Sequence, residues 1–147
     1  MNPGRSHLRV PGRGALTILA AGFVLALTAS PAAAAPSAWF ASPSGNIGCY
    51  MTVSGVRCDV VQHSYVPPKK PATCAFAWGL SLQVTKAGKG SFRCVSDTVA
   101  GSKRILAYGR SITIGEFRCV SRTTGMTCVD TRTGHGFELS KVAYRLF

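Results

Sequence analysis

Two stretches of this chain share one spacing of cysteine, five residues, glycine, two residues, cysteine: Cys49, Gly55, Cys58 and Cys119, Gly125, Cys128. A second echo overlaps the first, because Phe92-Arg93-Cys94-Val95-Ser96 recurs letter for letter as Phe117-Arg118-Cys119-Val120-Ser121. The spacing fits a cross-linked antiparallel hairpin. If Cys49 faces Cys58, then Tyr50 faces Arg57 and Met51 faces Val56, which leaves Thr52, Val53, Ser54 and Gly55 to close the loop. Loops of that length are usually built on a type I turn, and a final residue at positive φ is easiest for glycine. The second copy sets Val120 opposite Thr127 and Ser121 opposite Met126, with residues 122–125 as loop. A two-residue loop would instead put Val53-Ser54 or Thr123-Thr124 at positive φ, which β-branched residues resist.

Opposed residues in a non-hydrogen-bonded antiparallel pair have Cα atoms about 4.5 Å apart, inside the window of about 4.4–6.8 Å that a disulfide tolerates. Cys49–Cys58 and Cys119–Cys128 are therefore the expected bridges, and Cys74–Cys94 follows by elimination. Bridges between the two copies are the alternative. By the loop-entropy account, rings of about 10, 10 and 21 residues contribute roughly 2.7, 2.7 and 3.3 kcal/mol. A domain is stable by only about 5–15 kcal/mol in all. The bridges can decide whether the chain folds.

Six cysteines, an even number, imply an oxidising compartment, and the first residues agree. Arg5, His7, Arg9 and Arg13 form a basic leader, residues 15–29 carry no charge, and Ser30-Pro31-Ala32-Ala33-Ala34 ends in the small residues a signal peptidase reads. The uncharged run falls short of the roughly 20 residues a membrane span needs. The expectation is a signal peptide over 1–34, cut after Ala34, and a single domain over 35–147 with no transmembrane segment after cleavage. A domain of about 110 residues buries a thin core, which suits disulfide support.

The rest of the sequence has little helical periodicity. Short apolar runs are punctuated by Gly, Ser, Thr, Asn and Pro at intervals typical of β-sandwiches and barrels. Strands are expected at 46–51, 56–62, 80–85, 91–95, 104–108, 111–114, 117–122, 126–130, 137–140 and 142–146. Residues 67–71, Pro-Pro-Lys-Lys-Pro, read as a stiff exposed loop, because proline lacks the amide hydrogen a central strand needs. Residues 87–90 and 134–136 read as turns. The expected fold class is all-β: a small antiparallel sandwich or barrel of hairpins stapled by three disulfides.

Charge is the next constraint. Without Arg5, Arg9 and Arg13, fourteen lysines and arginines face five acids (Asp59, Asp97, Glu116, Asp130 and Glu138), a difference of +9. Such a surface attracts anionic partners, although solubility alone also explains it. Strand residues alternate sides, and arginine directly precedes cysteine at Arg57-Cys58, Arg93-Cys94 and Arg118-Cys119. With cysteines inward, Arg57, Arg93, Arg118 and Arg122 point outward and form a basic face across several strands. Trp39-Phe40 and Trp78 read as core or edge packing, and an exposed aromatic pair at 39–40 is the alternative, as an anchor for carbohydrate or a partner.

Catalytic chemistry finds little footing. His63 and His135 are the histidines outside the leader, with no Gly-x-Ser-x-Gly elbow. His135, between Gly134 and Gly136, reads as a turn residue or a ligand contact. Glu116 and Glu138 are the only glutamates, and nothing in their spacing brings them together as a glycosidase pair. Export favours oxidised cysteines over a zinc site, and Gly88-Lys89-Gly90 is too short to cradle phosphate. Phe92-Arg93 and Phe117-Arg118 offer base-stacking chemistry, but core phenylalanine beside surface arginine is the plainer reading, so nucleic acid is disfavoured. No catalytic residue, cofactor or metal is assigned and no enzyme activity is expected, with a small hydrolase using His135 and a nearby acid as the alternative.

From Phe40-Ala-Ser-Pro-Ser-Gly-Asn-Ile-Gly-Cys49 onward the chain resembles a family of small secreted actinobacterial proteins of unknown function. The resemblance continues through Cys94-Val-Ser-Asp97-Thr98, Leu106-Ala-Tyr108-Gly109, Phe117-Arg-Cys119, Gly125-Met-Thr-Cys128 and Gly134-His-Gly-Phe137-Glu-Leu-Ser140. It implies secretion and a cysteine-stapled domain, and it nominates Asp97, Thr98, His135 and Phe137 for a site or a shared structural role. The candidate binding residues are thus Arg57, Arg93, Arg118, Arg122, His135 and Phe137. The expected function is a secreted or cell-wall-associated non-enzymatic binding module for an anionic wall polymer or acidic protein. The alternative is an inhibitor of a secreted hydrolase, protease or muramidase, presenting the 67–71 loop, although Pro71 after Lys70 would block tryptic cleavage there.

Overall fold

Apolar and polar residues alternate along the observed strands as the cysteine register requires. The computed structural model describes residues 35–147, together with Met1 and Gly4. The expected signal peptide otherwise lies outside the described residues. Ten strands form two five-stranded antiparallel meanders. The first sheet runs in chain order through β1 (Ser37–Ala41), β2 (Ile47–Thr52), β3 (Gly55–Val60), β4 (Ser81–Thr85) and β5 (Gly88–Phe92). The second holds β6 (Ser111–Ile114), β7 (Phe117–Arg122), β8 (Gly125–Asp130), β9 (Gly136–Leu139) and β10 (Tyr144–Leu146), also in chain order. No helix among the described residues is long and apolar enough to cross a membrane.

The inward residues explain how the sheets stack. In β7, Phe117, Cys119 and Ser121 are buried while Arg118 and Arg122 are exposed. Phe40, Met51, Leu82 and Val84 from the first sheet meet Phe117, Met126, Phe137 and Leu139 from the second in one apolar cluster. Each fully buried side chain of this kind contributes on the order of 1.5–3 kcal/mol. At the centre lie the two repeated bridges. Cys49 opposes Cys58, Cys119 opposes Cys128, and both pairs have Cα atoms 4.1 Å apart. Cys58 Sγ lies 3.7 Å from Cys128 Sγ, so the two disulfides touch across the sheets. Cys74–Cys94 is the third bridge. The three bridges are those expected from the sequence, and they point to an oxidising environment. Cys49, Cys58 and Cys128 crowd together in a way that suggests metal ligands, but their sulfurs are all oxidised.

Several expectations need correction. Pairing continues to Thr52–Gly55 and Arg122–Gly125, so only two residues stand outside each ladder, rather than a four-residue loop. No described non-glycine residue has positive φ, and of the two loop glycines only Gly125 does, at 141°. Gly55 is required for a different reason, since a Cβ there would lie 2.8 Å from the carbonyl oxygen of Val84. Strand β1 was not anticipated. The 104–108 strand is instead a strap: Leu106 N donates to Ala41 O, Ala41 N to Arg104 O, and then Gly109 N to Ser121 O on the other sheet. The 91–95 strand begins earlier, at Gly88, because the ladder shifts register near Gln83 and Thr85 and takes in the glycines expected to turn. Gly90 permits this, since a Cβ there would strike the carbonyl of Gly136 where the two sheets converge. At that corner Phe147 O accepts from both Gly90 N and Gly136 N, partly closing the sandwich.

Candidate anion-binding groove

The four nominated arginines do not form one face. Arg57 and Arg93 belong to the first sheet's side and Arg118 and Arg122 to the outer side of the second, because inward alternation in stacked sheets sends outward residues to opposite surfaces. Arg57 is not free either. Its Nε and Nη2 donate to the two oxygens of Asp59 at 2.9 and 2.8 Å, and its Nη1 donates to Asp97 Oδ1 at 2.8 Å. Ser81 Oγ and the Asp97 carbonyl complete the set. Burial opposes the charge on Arg57, but the hydrogen bonds it donates to Asp59 and Asp97, and their charges, more than offset it and raise its pKa above the ordinary value. The same arginine holds Asp97 below the usual carboxylate range, first by the hydrogen bond and then by charge.

This cluster fastens a loop to the sheet. Asp59 is 1 % exposed and also accepts from Thr98 Oγ1 and Val99 N, so residues 97–99 lie across the outside of β3. Asp97 and Thr98, nominated by resemblance, thus have a structural role. Phe137 is fully buried in the core and touches no solvent, so it supports the sheet rather than contacting a ligand. His135 is half-buried, its N–H bonded to Thr133 Oγ1 and its carbonyl to Asp130 N, as a turn residue would be. Arg93 is exposed beside Gln83, and Arg118 is exposed beside Ser111. Glu116 is held by Lys86 and Arg132 and Glu138 by Arg145, in separate ion pairs.

Arg122 is different. It sits at the β7–β8 turn, where loops from both sheets converge on a groove of about 550 Å³. The 42–47 turn, Val61 and Gln62 after β3, Tyr108 from the strap, and Ser140 and Lys141 after β9 supply the other walls. These walls are fixed. Asn46 Nδ2 donates to Gln62 O at 3.0 Å while Gln62 N donates to Asn46 Oδ1 at 2.9 Å, a reciprocal clasp between two loops. Ser42 Oγ accepts from Ile47 N and contacts Ser44 Oγ, and Lys141 O accepts from Ser64 N. The lining carries Arg122 and Lys141, several hydroxyls and no carboxylate. Neither cation forms an ion pair among the described residues. Two cations and several hydroxyls line the groove, a set chemically complementary to a carboxylate or phosphate group. Sequence reasoning nominated Arg122 and missed Lys141, the clasp and the hydroxyls, because only the packed fold brings them together.

The wider charge pattern points the same way. Every acid in the described residues lies within reach of a lysine or arginine, and only Arg57, Lys86, Arg132 and Arg145 are so engaged. Of fourteen cations, those four leave ten outside any ion pair. A family model described as a family of unknown function, DUF6636, matches residues 18–147. No curated protein and no solved structure matches the chain.

Proposed function

The chain belongs to that family of unknown function, and we propose that this member is a secreted or cell-wall-associated, non-enzymatic binding module that holds an anionic polymer in the Arg122–Lys141 groove. The single observation that carries this reading is a rigid, acid-free groove with two unpaired cations at its rim. Retention rests on charge-assisted hydrogen bonds to carboxylate or phosphate groups. The unpaired cations elsewhere steer a polyanion toward the surface. The basic leader, the uncharged run and three disulfides suited to an oxidising compartment support the export part of this reading.

The test is retention of the oxidised protein, purified from culture supernatant, on immobilised poly-glutamate and poly-glycerol phosphate. Retention should fall steeply as salt rises, because the screening length shrinks from about 10 Å at 0.1 M to about 3 Å at 1 M. Arg122→Ala combined with Lys141→Ala should abolish most of it, while Arg118→Ala, outside the groove, should change it little. Salt-independent retention, or an unchanged double variant, would overturn the reading.

A second reading keeps one specific observation in its favour. The Lys69-Lys70 loop is pinned on one side by Trp78 Nε1 donating to Pro68 O at 2.8 Å and by the Pro67 ring lying against Gly79. A held, basic loop suits inhibition of a secreted hydrolase, since preorganisation lowers the ordering cost of binding. A panel of proteases and muramidases assayed with micromolar protein tests it, and an absence of inhibition would remove it.

A further inference from the structure

The outside of the first sheet carries a second, chemically different site that shares no lining residue with the Arg122 groove. Strand register puts Trp39 opposite Tyr50, Tyr50 opposite Arg57, and Arg57 opposite Gln83. These four residues form one row across β1, β2, β3 and β4 on the outward face. Trp39 is 48 % exposed although it sits next to fully buried Phe40. Its ring centroid lies 4.6 Å from that of Tyr50, with the planes tilted by 40°. At the other end Arg93 Nη1 donates to Gln83 Oε1 at 2.8 Å, which holds a guanidinium and an amide side by side. Asp97, 74 % exposed, is fixed between them by Arg57. Together they line a shallow groove of about 380 Å³.

We infer that this groove binds an extended carbohydrate chain of β-linked pyranose units. A pyranose ring has an apolar C–H face and a rim of hydroxyls that both donate and accept. The Trp39–Tyr50 pair offers the aromatic surface for such a face. Gln83, Arg93 and Asp97 offer donors and acceptors together at the rim, already oriented by their own hydrogen bonds. The row advances by about 4.8 Å per strand, close to the length of one ring in an extended sugar chain, so successive strands meet successive rings. A peptide adding as a strand needs a free sheet edge. This site lies on a sheet face whose backbone groups are already paired, and the outer edge of β1 is bridged by the strap only at Ala41, so an added strand would lie beside the row of side chains and not on it. The local charge is nearly balanced, because Arg57 engages both Asp59 and Asp97. The ligand therefore need not be anionic.

The experiment is a fluorescence titration of the purified, oxidised protein with the β-1,4-linked N-acetylglucosamine hexamer and, in parallel, cellohexaose. Trp39 and Trp78 are the only tryptophans, and only Trp39 lines this groove, so a signal change absent from Trp39→Ala reports on Trp39. Saturable quenching or a blue shift that persists in high salt is expected with at least one sugar. Trp39→Ala should weaken binding about tenfold or more, and Trp39→Phe should retain most of it, as for an aromatic contact. Isothermal calorimetry follows the variants that lack the fluorophore. Arg122→Ala should leave sugar binding unchanged. The inference is overturned if neither hexamer binds at millimolar concentration, if Trp39→Ala binds as well as the parent, or if Arg122→Ala loses binding equally. It is also overturned if the signal tracks protein dilution instead of sugar, which would assign the face to a second copy of this chain.

Discussion

The two cysteine hairpins are nearly the same object on the inside and unlike on the outside. β2–β3 and β7–β8 share spacing, register and Cα separation at their bridges. Superposed by their cysteines, Gly48, Thr52, Arg57 and Asp59 correspond to Arg118, Arg122, Thr127 and Val129. Each difference serves a different surface. Gly48 lets the 99–100 backbone lie directly on β2, since a Cβ there would come within 2.5 Å of Ala100 Cα. Arg57 and Asp59 then fasten that segment. On the second hairpin the matching positions carry no such clasp, and arginines at the positions of Gly48 and Thr52 stand exposed. Thr52 Oγ1 accepts from Ser54 N within its own turn, whereas Arg122 at the same position reaches the groove. One covalent frame thus supports a covered face and a bare one.

The largest expected difference between the two hairpins comes from breaking the covered face. Arg57→Ala leaves the Asp59 carboxylate almost completely buried with only Thr98 and Val99 as donors. Removing one partner of a buried pair costs about 3–5 kcal/mol, and the two remaining donors place this case near the lower end. Arg118→Ala, on the bare face, should change stability by less than about 0.5 kcal/mol. Urea denaturation of both variants checks the contrast, and equal losses would mean that the clasp does not distinguish the hairpins.

The bridges themselves should behave alike. Replacing Cys49 and Cys58 together by alanine opens a ring of the same size as replacing Cys119 and Cys128, since both span a separation of 9. Each double variant should lose roughly 2.7 kcal/mol, plus the cavity left by the sulfurs. Thermal unfolding of the two oxidised variants measures this. A clearly larger loss at the second hairpin would show that the clasp on the first shares the work of its disulfide.

The loop glycines sharpen the comparison further. Gly125→Ala meets both a backbone conformation unfavourable to side chains and the Leu139 carbonyl, 2.4 Å from an ideal Cβ. Gly55→Ala keeps an ordinary backbone conformation and meets the Val84 carbonyl at 2.8 Å and Thr85 at 3.2 Å. Residues forced into such backbone regions cost on the order of 1–3 kcal/mol, so Gly125→Ala should be the more damaging of the two. Denaturant midpoints compared under one condition rank them.

How much of this was readable in the chain follows from which contacts are local. The cysteine echo specified the hairpin register because a disulfide tolerates few separations, and alternation then assigned Phe117, Cys119, Arg118 and Arg122 to their sides. The same rule applied to Trp39 and Phe40 would have ruled out an aromatic pair exposed on one face, since adjacent strand residues point oppositely. The burial of Asp59 was not readable, as its partners Thr98 and Val99 stand about forty residues away. The one available signal was an acid in the outward register of a strand whose flanks are apolar, because a buried carboxylate requires partners. Lys141 gave no signal at all, since its meeting with Arg122 depends on how the two sheets close.

The smallest effect concerns acid on the bare face. Arg145 donates to Glu138 through Nη2 at 2.7 Å and Nε at 3.1 Å. That hydrogen bond first, and the charges of Arg145 and Arg122 after it, hold the Glu138 carboxyl below its ordinary value of 4.5. A carboxyl whose folded pKa is depressed stabilises the fold fully above the unfolded value, and that contribution disappears as pH falls through the folded value. The window therefore opens near 4.5 and extends downward. Both side chains are well exposed, so solvent screening leaves the pair only a small effect on stability. Arg145→Ala should raise the Glu138 titration midpoint, read by NMR of its carboxyl carbon. It should also flatten the acid limb of stability slightly. On the covered face Asp97 provides the counterpart: Arg57→Lys, which keeps the charge but loses the planar fork, should raise the Asp97 midpoint because the hydrogen bond to Arg57 is the leading cause of its depression. If Asp97 stays depressed with lysine in place while Glu138 moves freely with Arg145, simple charge rather than the fork geometry holds the covered face, and the contrast between the hairpins reduces to net charge.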